Sequence, residues 1–146
     1  MSSPLKLRSV ILRSARLLSD VYNEVLSQHQ LNYSLWQVMY LVQEQPDITS
    51  IDLAKFLNVS KPSIAKRVQV LMQLDIIKQV ATADKRQKGL QLSQHGQLLF
   101  QLCSDKIDHC ELQLLSQFNH LSLEQTYDTL SSLIDVLQKQ KNGELS

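Results

Sequence analysis

The chain has 146 residues, enough for one domain or for two small lobes sharing a core. Its 43% apolar and 20% charged residues give the balance of a soluble globular protein, and with aromatics at only 5% the core must be aliphatic. The net charge of +1 divides unevenly: residues 55–88 hold eight Lys/Arg against two Asp/Glu, while the flanking arms are acidic.

No run approaches ~18 uninterrupted apolar residues, so no membrane span is expected. No apolar leader precedes a small-residue cleavage site, and two cysteines do not make a disulfide framework, so the expected compartment is the reduced cytoplasm. With 27 Leu and 18 Gln against 3 Gly and 3 Pro, the chain reads as mainly α with room for one small β element. Three glycines leave little for a phosphate-cradling loop, and no recognised metal or nucleophile motif is present. No cofactor, no metal and no enzymatic activity are expected.

The first helix is predicted over residues 5–28. Leu7, Ile11, Ser14, Leu18, Val21 and Val25 alternate four and three residues apart, a heptad-like seam in need of a partner. The second is predicted from Ser34, as N-cap, to Glu44, with Trp36, Met39, Tyr40 and Val42 making it mostly buried. The third begins at Thr49, with Asp52 placed for a capping box, and ends at Asn58, a residue that tolerates the left-handed conformation. Ser60 caps the fourth, which runs from Lys61 to about Leu74 with Pro62 in its first turn and Ile64, Val68 and Leu71 inward.

After Leu74 the period changes. Ile77, Gln79 and Ala81 alternate with Lys78 and Val80, and Leu90 and Leu92 resume the alternation beyond a charged tip, Ala83-Asp84-Lys85-Arg86: a hairpin. Ser93 caps a fifth, long helix with a stripe of Leu99, Cys103, Ile107, Cys110, Leu114 and Phe118. Ser122 and Gln125 read as a further capping box, opening a last helix with Leu123, Tyr127, Leu130, Ile134 and Leu137 on one face. Lys141 to Ser146 read as frayed.

Helix, turn, helix and charged hairpin is the order of a winged helix-turn-helix, whose second helix enters the major groove while the hairpin reaches the backbone. The segments L-N-Y-S-L-W-Q-V-M-Y-L-V, I-D-L-A-K-F-L-N-V-S-K-P-S-I-A-K-R-V-Q-V-L, A-D-K-R and L-Q-L-S-Q-H-G together resemble the MarR family of bacterial transcriptional regulators. The most specific pieces are D-x-R at the wing tip (Asp84, Arg86) and L-S-x-x-G after it (Leu92, Ser93, Gly96). The resemblance implies a mainly α fold with a small β-hairpin wing. It divides the chain into dimerisation helices (1–30 and 118–146), a winged helix-turn-helix lobe (31–93) and a long connecting helix (94–117).

It further implies a support helix over Thr49–Leu57, a recognition helix over Ser60–Leu74, a wing arginine at Arg86 that reaches toward a minor groove, and Asp84 orienting it. The expected DNA-contacting set is Ser60, Lys61, Pro62, Ser63, Lys66, Arg67, Gln69, Asp84, Lys85, Arg86 and Lys88. Within it, Lys66 and Gln69 are placed to read bases, and Arg67 has the flank of the domain as its alternative. Two positions depart from the family pattern. Asp75-Ile76-Ile77 stands where a glycine normally precedes the wing strand, and Gln79 stands where arginine is usual.

The function implied is a homodimeric, sequence-specific regulator, a ligand-responsive repressor on a palindromic operator. A pocket for a small aromatic or phenolic ligand is assigned to Tyr33, Trp36 and Tyr40, with packing in a local core as the competing role. Two other readings remain open. One is a helical dimer acting through protein–protein contacts, suggested by the Gln-rich recognition segment and the sparse wing. The other is a thiol-based sensor using Cys103 and Cys110, which lie seven residues, roughly 10 Å of helical rise, apart and so cannot bridge within one chain.

Overall fold

The computed structural model describes residues 6–143. The elements in order are α1 (Leu7–Ser27), α2 (Tyr33–Glu44), β1 (Ile48–Thr49), α3 (Ser50–Leu57), α4 (Lys61–Gln73), β2 (Ile77–Ala81), β3 (Lys88–Leu92), α5 (Gln94–Leu115) and α6 (His120–Lys141). Two compact units are present, one ending at Ile107 and the other beginning at Asp108.

In the first unit, α2 packs on α1, α4 and β3, and α3 packs on α4. Val38, Met39, Leu53, Ile64 and Leu71 form a fully buried aliphatic centre, as a composition poor in aromatics requires. The sheet has three antiparallel strands in the order β1-β3-β2, with Ile48 opposite Leu90 and Ile77 opposite Leu92. Strand β1 was not among the expected elements. The alternation expected along β2 stops after Ile77: Gln79 and Ala81 are exposed and Val80 is half-buried, because the hairpin leaves the core as it runs outward.

Along α1 the buried residues are Tyr22 and Leu26, whereas Leu7 and Leu18 of the expected seam are 72% and 42% exposed. Leu5, the first residue of that predicted helix, lies outside the described residues. The start of α2 also differs from expectation. Asn32, not Ser34, is its N-cap: its backbone is extended and its Oδ1 accepts the Leu35 N–H at 2.9 Å, which leaves Ser34 in the first turn.

Asp75 takes φ 57°, the left-handed turn that the missing glycine demands, and Asn58 takes φ 55° at the end of α3. Ser93 then ties two segments together. Its Oγ donates to the Asp75 carbonyl at 2.6 Å and accepts the Gly96 N–H at 2.9 Å, while its N–H donates to the Ile76 carbonyl at 2.9 Å. A Cβ at position 96 would collide with that Ile76 carbonyl, so L-S-x-x-G is a packing requirement of this corner.

The second unit comprises the end of α5 and α6. Asn119 caps α6, accepting the N–H groups of Leu121 and Ser122 at 2.8 and 3.4 Å, so the helix starts ahead of the expected Ser122 box. Phe118, expected on the α5 stripe, lies beyond the end of α5 and is 60% exposed. Lys141, expected to fray, is the last residue of α6, and residues 144–146 lie outside the described residues. No residue of α6 is buried.

Candidate nucleic-acid interface

The turn between α3 and α4 is specified residue by residue. Thr49 and Asp52 form the reciprocal capping box of α3, whose last turn closes on Asn58. Ser60 Oγ accepts the Ser63 N–H at 3.3 Å and donates to Ser63 Oγ at 2.9 Å, with Pro62 in the first turn, where it forfeits no hydrogen bond. Ile64, Val68 and Leu71 are buried, so the opposite face of α4 is turned out. On it Pro62, Ser63, Lys66 and Gln69 are exposed, and Lys61 is exposed at the first position of the helix. The amide end of α4 and its flanking hydroxyls thus lie on the same surface as Lys61 and Lys66, a suitable arrangement for phosphate oxygens.

The wing places its charges at the far end of the hairpin. Asp84, Lys85, Arg86 and Lys88 are exposed, and the tip is held by short-range bonds. Thr82 Oγ1 lies 2.8 Å from the Asp84 carbonyl and 2.9 Å from that of Gln87, and the Arg86 N–H donates to Asp84 Oδ1 at 2.9 Å. Asp84 therefore fixes the backbone of Arg86, and among the described residues no ion pair joins their side chains. Thr82, absent from the expected set, is part of what shapes the tip.

The electrostatics reinforce this geometry. The side-chain contacts between basic and acidic groups among the described residues are Arg16–Asp20 and His120–Glu124, both outside the basic block. The cations of residues 55–88 are thus uncompensated by short-range carboxylates, and their field extends outward. Arg67 alone among the expected contacts is half-buried, on the flank of α4 toward α2.

The three aromatic residues assigned to a ligand pocket do meet. Tyr33 stacks on Trp36 at 5.7 Å and Trp36 lies 5.4 Å from Tyr40. Tyr22 and Phe100 complete the cluster, at 5.6 Å from Tyr33 and 6.1 Å from Trp36 respectively, two members the sequence reading missed because they come from α1 and α5. The rings pack on one another, and the Trp36 indole N–H is buried without a hydrogen-bond partner among the described residues.

Cys103 and Cys110 are free thiols. Burial pushes the Cys103 thiol up, with Lys106 pulling the other way, and a thiol held protonated is a poor nucleophile. Among the described residues no three His, Cys, Asp or Glu side chains come together as a metal site. No helix among them is long and apolar enough to cross a membrane.

Comparison with known proteins bears on this geometry. A family described as winged helix-turn-helix DNA-binding matches residues 31–78. The HTH-type transcriptional regulator YwoH of Bacillus subtilis is 27% identical over 106 residues, covering 73% of this chain and 77% of its own length. The MepR–DNA complex of S. aureus superposes with a TM-score of 0.82 at 19% identity, over 93% of this chain and 99% of that one. Staphylococcus aureus MarR in complex with salicylate and kanamycin gives 0.81 at 19% identity, over 90% and 89% of the two chains. Residues 31–78 thus match a winged helix-turn-helix DNA-binding family, and the chain as a whole shares the fold of these solved structures, with the wing, the helix pair and the flanking helices in the same order.

Proposed function

We propose that the protein is a homodimeric transcriptional regulator that binds a palindromic operator through α4 and the wing and acts as a ligand-responsive repressor. The observation that carries DNA binding is the outward face of α4: a Ser60-capped helix start bearing exposed Lys61, Ser63, Lys66 and Gln69, beside a wing whose cations have no carboxylate partners among the described residues. In this reading Lys66 and Gln69 contact base edges, while Ser60, Lys61, Pro62 and Ser63 lie along the backbone. Lys85, Arg86 and Lys88 meet phosphates and the adjacent minor groove. Such a regulator works in the cytoplasm, beside the chromosome.

Dimerisation is supported by α6, where Leu121, Tyr127, Ile134 and Leu137 are 53–73% exposed, and independently by Leu7, Leu12 and Leu17 of α1. Apolar faces of that extent belong in an interface. A second copy also supplies the second recognition helix, which a palindrome needs about 34–36 Å from the first. The ligand is placed at the aromatic cluster of Tyr33, Trp36 and Tyr40, where the unpartnered indole N–H offers a donor to a phenol or aromatic carboxylate.

The test is selection of a duplex from a random-sequence pool, followed by titration at several salt concentrations. Recovery of an inverted repeat bound by a dimer with a steep salt dependence is the expected result. Failure to enrich any sequence, with the protein folded and dimeric, refutes the DNA reading and favours action through protein contacts.

A further inference from the structure

We propose that a phosphate of the DNA backbone docks in a groove between the first turn of α2 and one flank of α4, with Arg67 as its anchoring cation. This rests on the DNA-binding reading and extends it from the outward face of α4 to its flank and to the start of α2. The groove, about 420 Å³, is lined by Asn32 and Ser34 from the start of α2 and by Ser63, Lys66, Arg67 and Val70 from α4. Arg67 Nη1 is buried there and has no hydrogen-bond partner among the described residues. A guanidinium nitrogen withdrawn from water and left unpaired is costly, and no Asp or Glu lines the groove to pair with it.

The chemistry of the lining defines the occupant. Two adjacent cations and two hydroxyls suit an oxyanion with several acceptor oxygens, and the planar fork of arginine matches phosphate. Ser63 Oγ already accepts from Ser60, so its own proton remains available to an acceptor in the groove.

Position then selects the source. A helix seated in the major groove turns its flanks to the phosphate walls on either side. On the opposite flank of α4, the groove that Ala65, Gln69, Met72 and Gln73 form with Ser50 and Gln79 has no charged residue in its lining. The two walls are therefore met differently: one is gripped and the other only approached. A single gripped phosphate on the Arg67 side fixes how far α4 slides and rolls in the groove, which determines which bases Lys66 and Gln69 face.

The experiment uses the full-length protein and its selected duplex, synthesised with one neutral methylphosphonate linkage at a time along each half-site. In wild type, one linkage per half-site should cost about tenfold in affinity when neutralised. In Arg67→Met that penalty should vanish, and the salt slope should fall by about 1 per half-site. If Arg67→Met binds weakly but keeps the same penalty at every linkage, Arg67 is only structural and the proposal is wrong.

Ser34→Asp covers the case in which Arg67→Met does not fold, because it supplies an internal carboxylate. The melting temperature should hold or rise while affinity drops about tenfold. Unchanged affinity in that variant overturns the proposal. Thermal stabilisation of wild type but not of Arg67→Met by inorganic phosphate, with no linkage effect, would identify a free-anion site instead and equally overturn it. If no duplex is selected at all, the DNA-binding reading itself fails.

Discussion

Helices α4 and α6 are both amphipathic, yet they stand in opposite relations to their own chain. On α4 the apolar face is consumed locally: Ile64, Val68 and Leu71 are at most 5% exposed, and what remains outside is mostly polar and cationic, with Met72 an exception. On α6 nothing is buried, and Tyr127 and Ile134 are 73% and 64% exposed. A helix whose apolar face is already covered offers its polar face to a partner, whereas one with its apolar face bare awaits a hydrophobic one. The same periodicity thus accompanies the proposed reading surface in one place and the proposed assembly surface in the other, and only burial tells them apart.

The largest expected effect tests the bare face. Ile134→Asp places a charge in the proposed dimer interface and should raise the dimer dissociation constant at least about a hundredfold, measured by sedimentation. A dimer of unchanged affinity would show that α6 is not the assembly surface. The covered face should respond differently. Ile64→Ala is expected to cost about 2–5 kcal/mol of stability whatever the protein concentration, whereas the loss in Leu137→Ala should depend on concentration. Equal concentration dependence for the two would erase the distinction drawn here.

Smaller effects sharpen the reading surface. Lys66→Ala or Gln69→Ala should change the sequence recovered by selection, at about 1–3 kcal/mol per contacted base. Arg86→Ala should instead weaken all duplexes by a similar factor, about three- to tenfold, and flatten the salt slope. An unchanged slope would remove Arg86 from the interface.

The smallest effect concerns Cys103. In the unfolded chain its thiol loses a proton from its ordinary value of 9.0 upward, while burial holds the folded thiol protonated. The folded state therefore binds more protons in that range, and stability falls as pH rises. Cys103→Ser should flatten this alkaline slope in denaturant titrations above that pH. Cys103→Ser combined with Cys110→Ser should also leave duplex binding intact, and mild peroxide should not abolish binding by the wild type. Reversible loss in wild type and not in the double variant would establish a thiol switch.

The signals legible in the sequence were the local ones. Thr49 with Asp52, Asn58, Ser60 with Pro62, and Asp75 each solve a problem within a few residues of themselves, and each is found where its chemistry placed it. Where two residues of equal capping power stood close together, as with Asn32 and Ser34 or Asn119 and Ser122, the sequence offered no way to choose, and the backbone selected the asparagine. Strand β1 was illegible because its two residues owe their conformation to β3, about forty positions away. The flank position of Arg67 was foreseen only as an alternative to DNA contact, since its burial depends on how α2 lies beside α4. Such information is tertiary, and no periodicity encodes it.

The Ser93 corner has a mechanical consequence. One side chain and its own amide clamp the root of β2, at Asp75 and Ile76, to the first turn of α5, and Gly96 allows the two backbones to touch. Only Leu74 lies between the end of α4 and Asp75, so α4, the wing and α5 meet at one joint. A displacement of the first turn of α5 would be felt at this joint by both α4 and the wing. In the proposed complex the two contacts with DNA would then be kept or lost together.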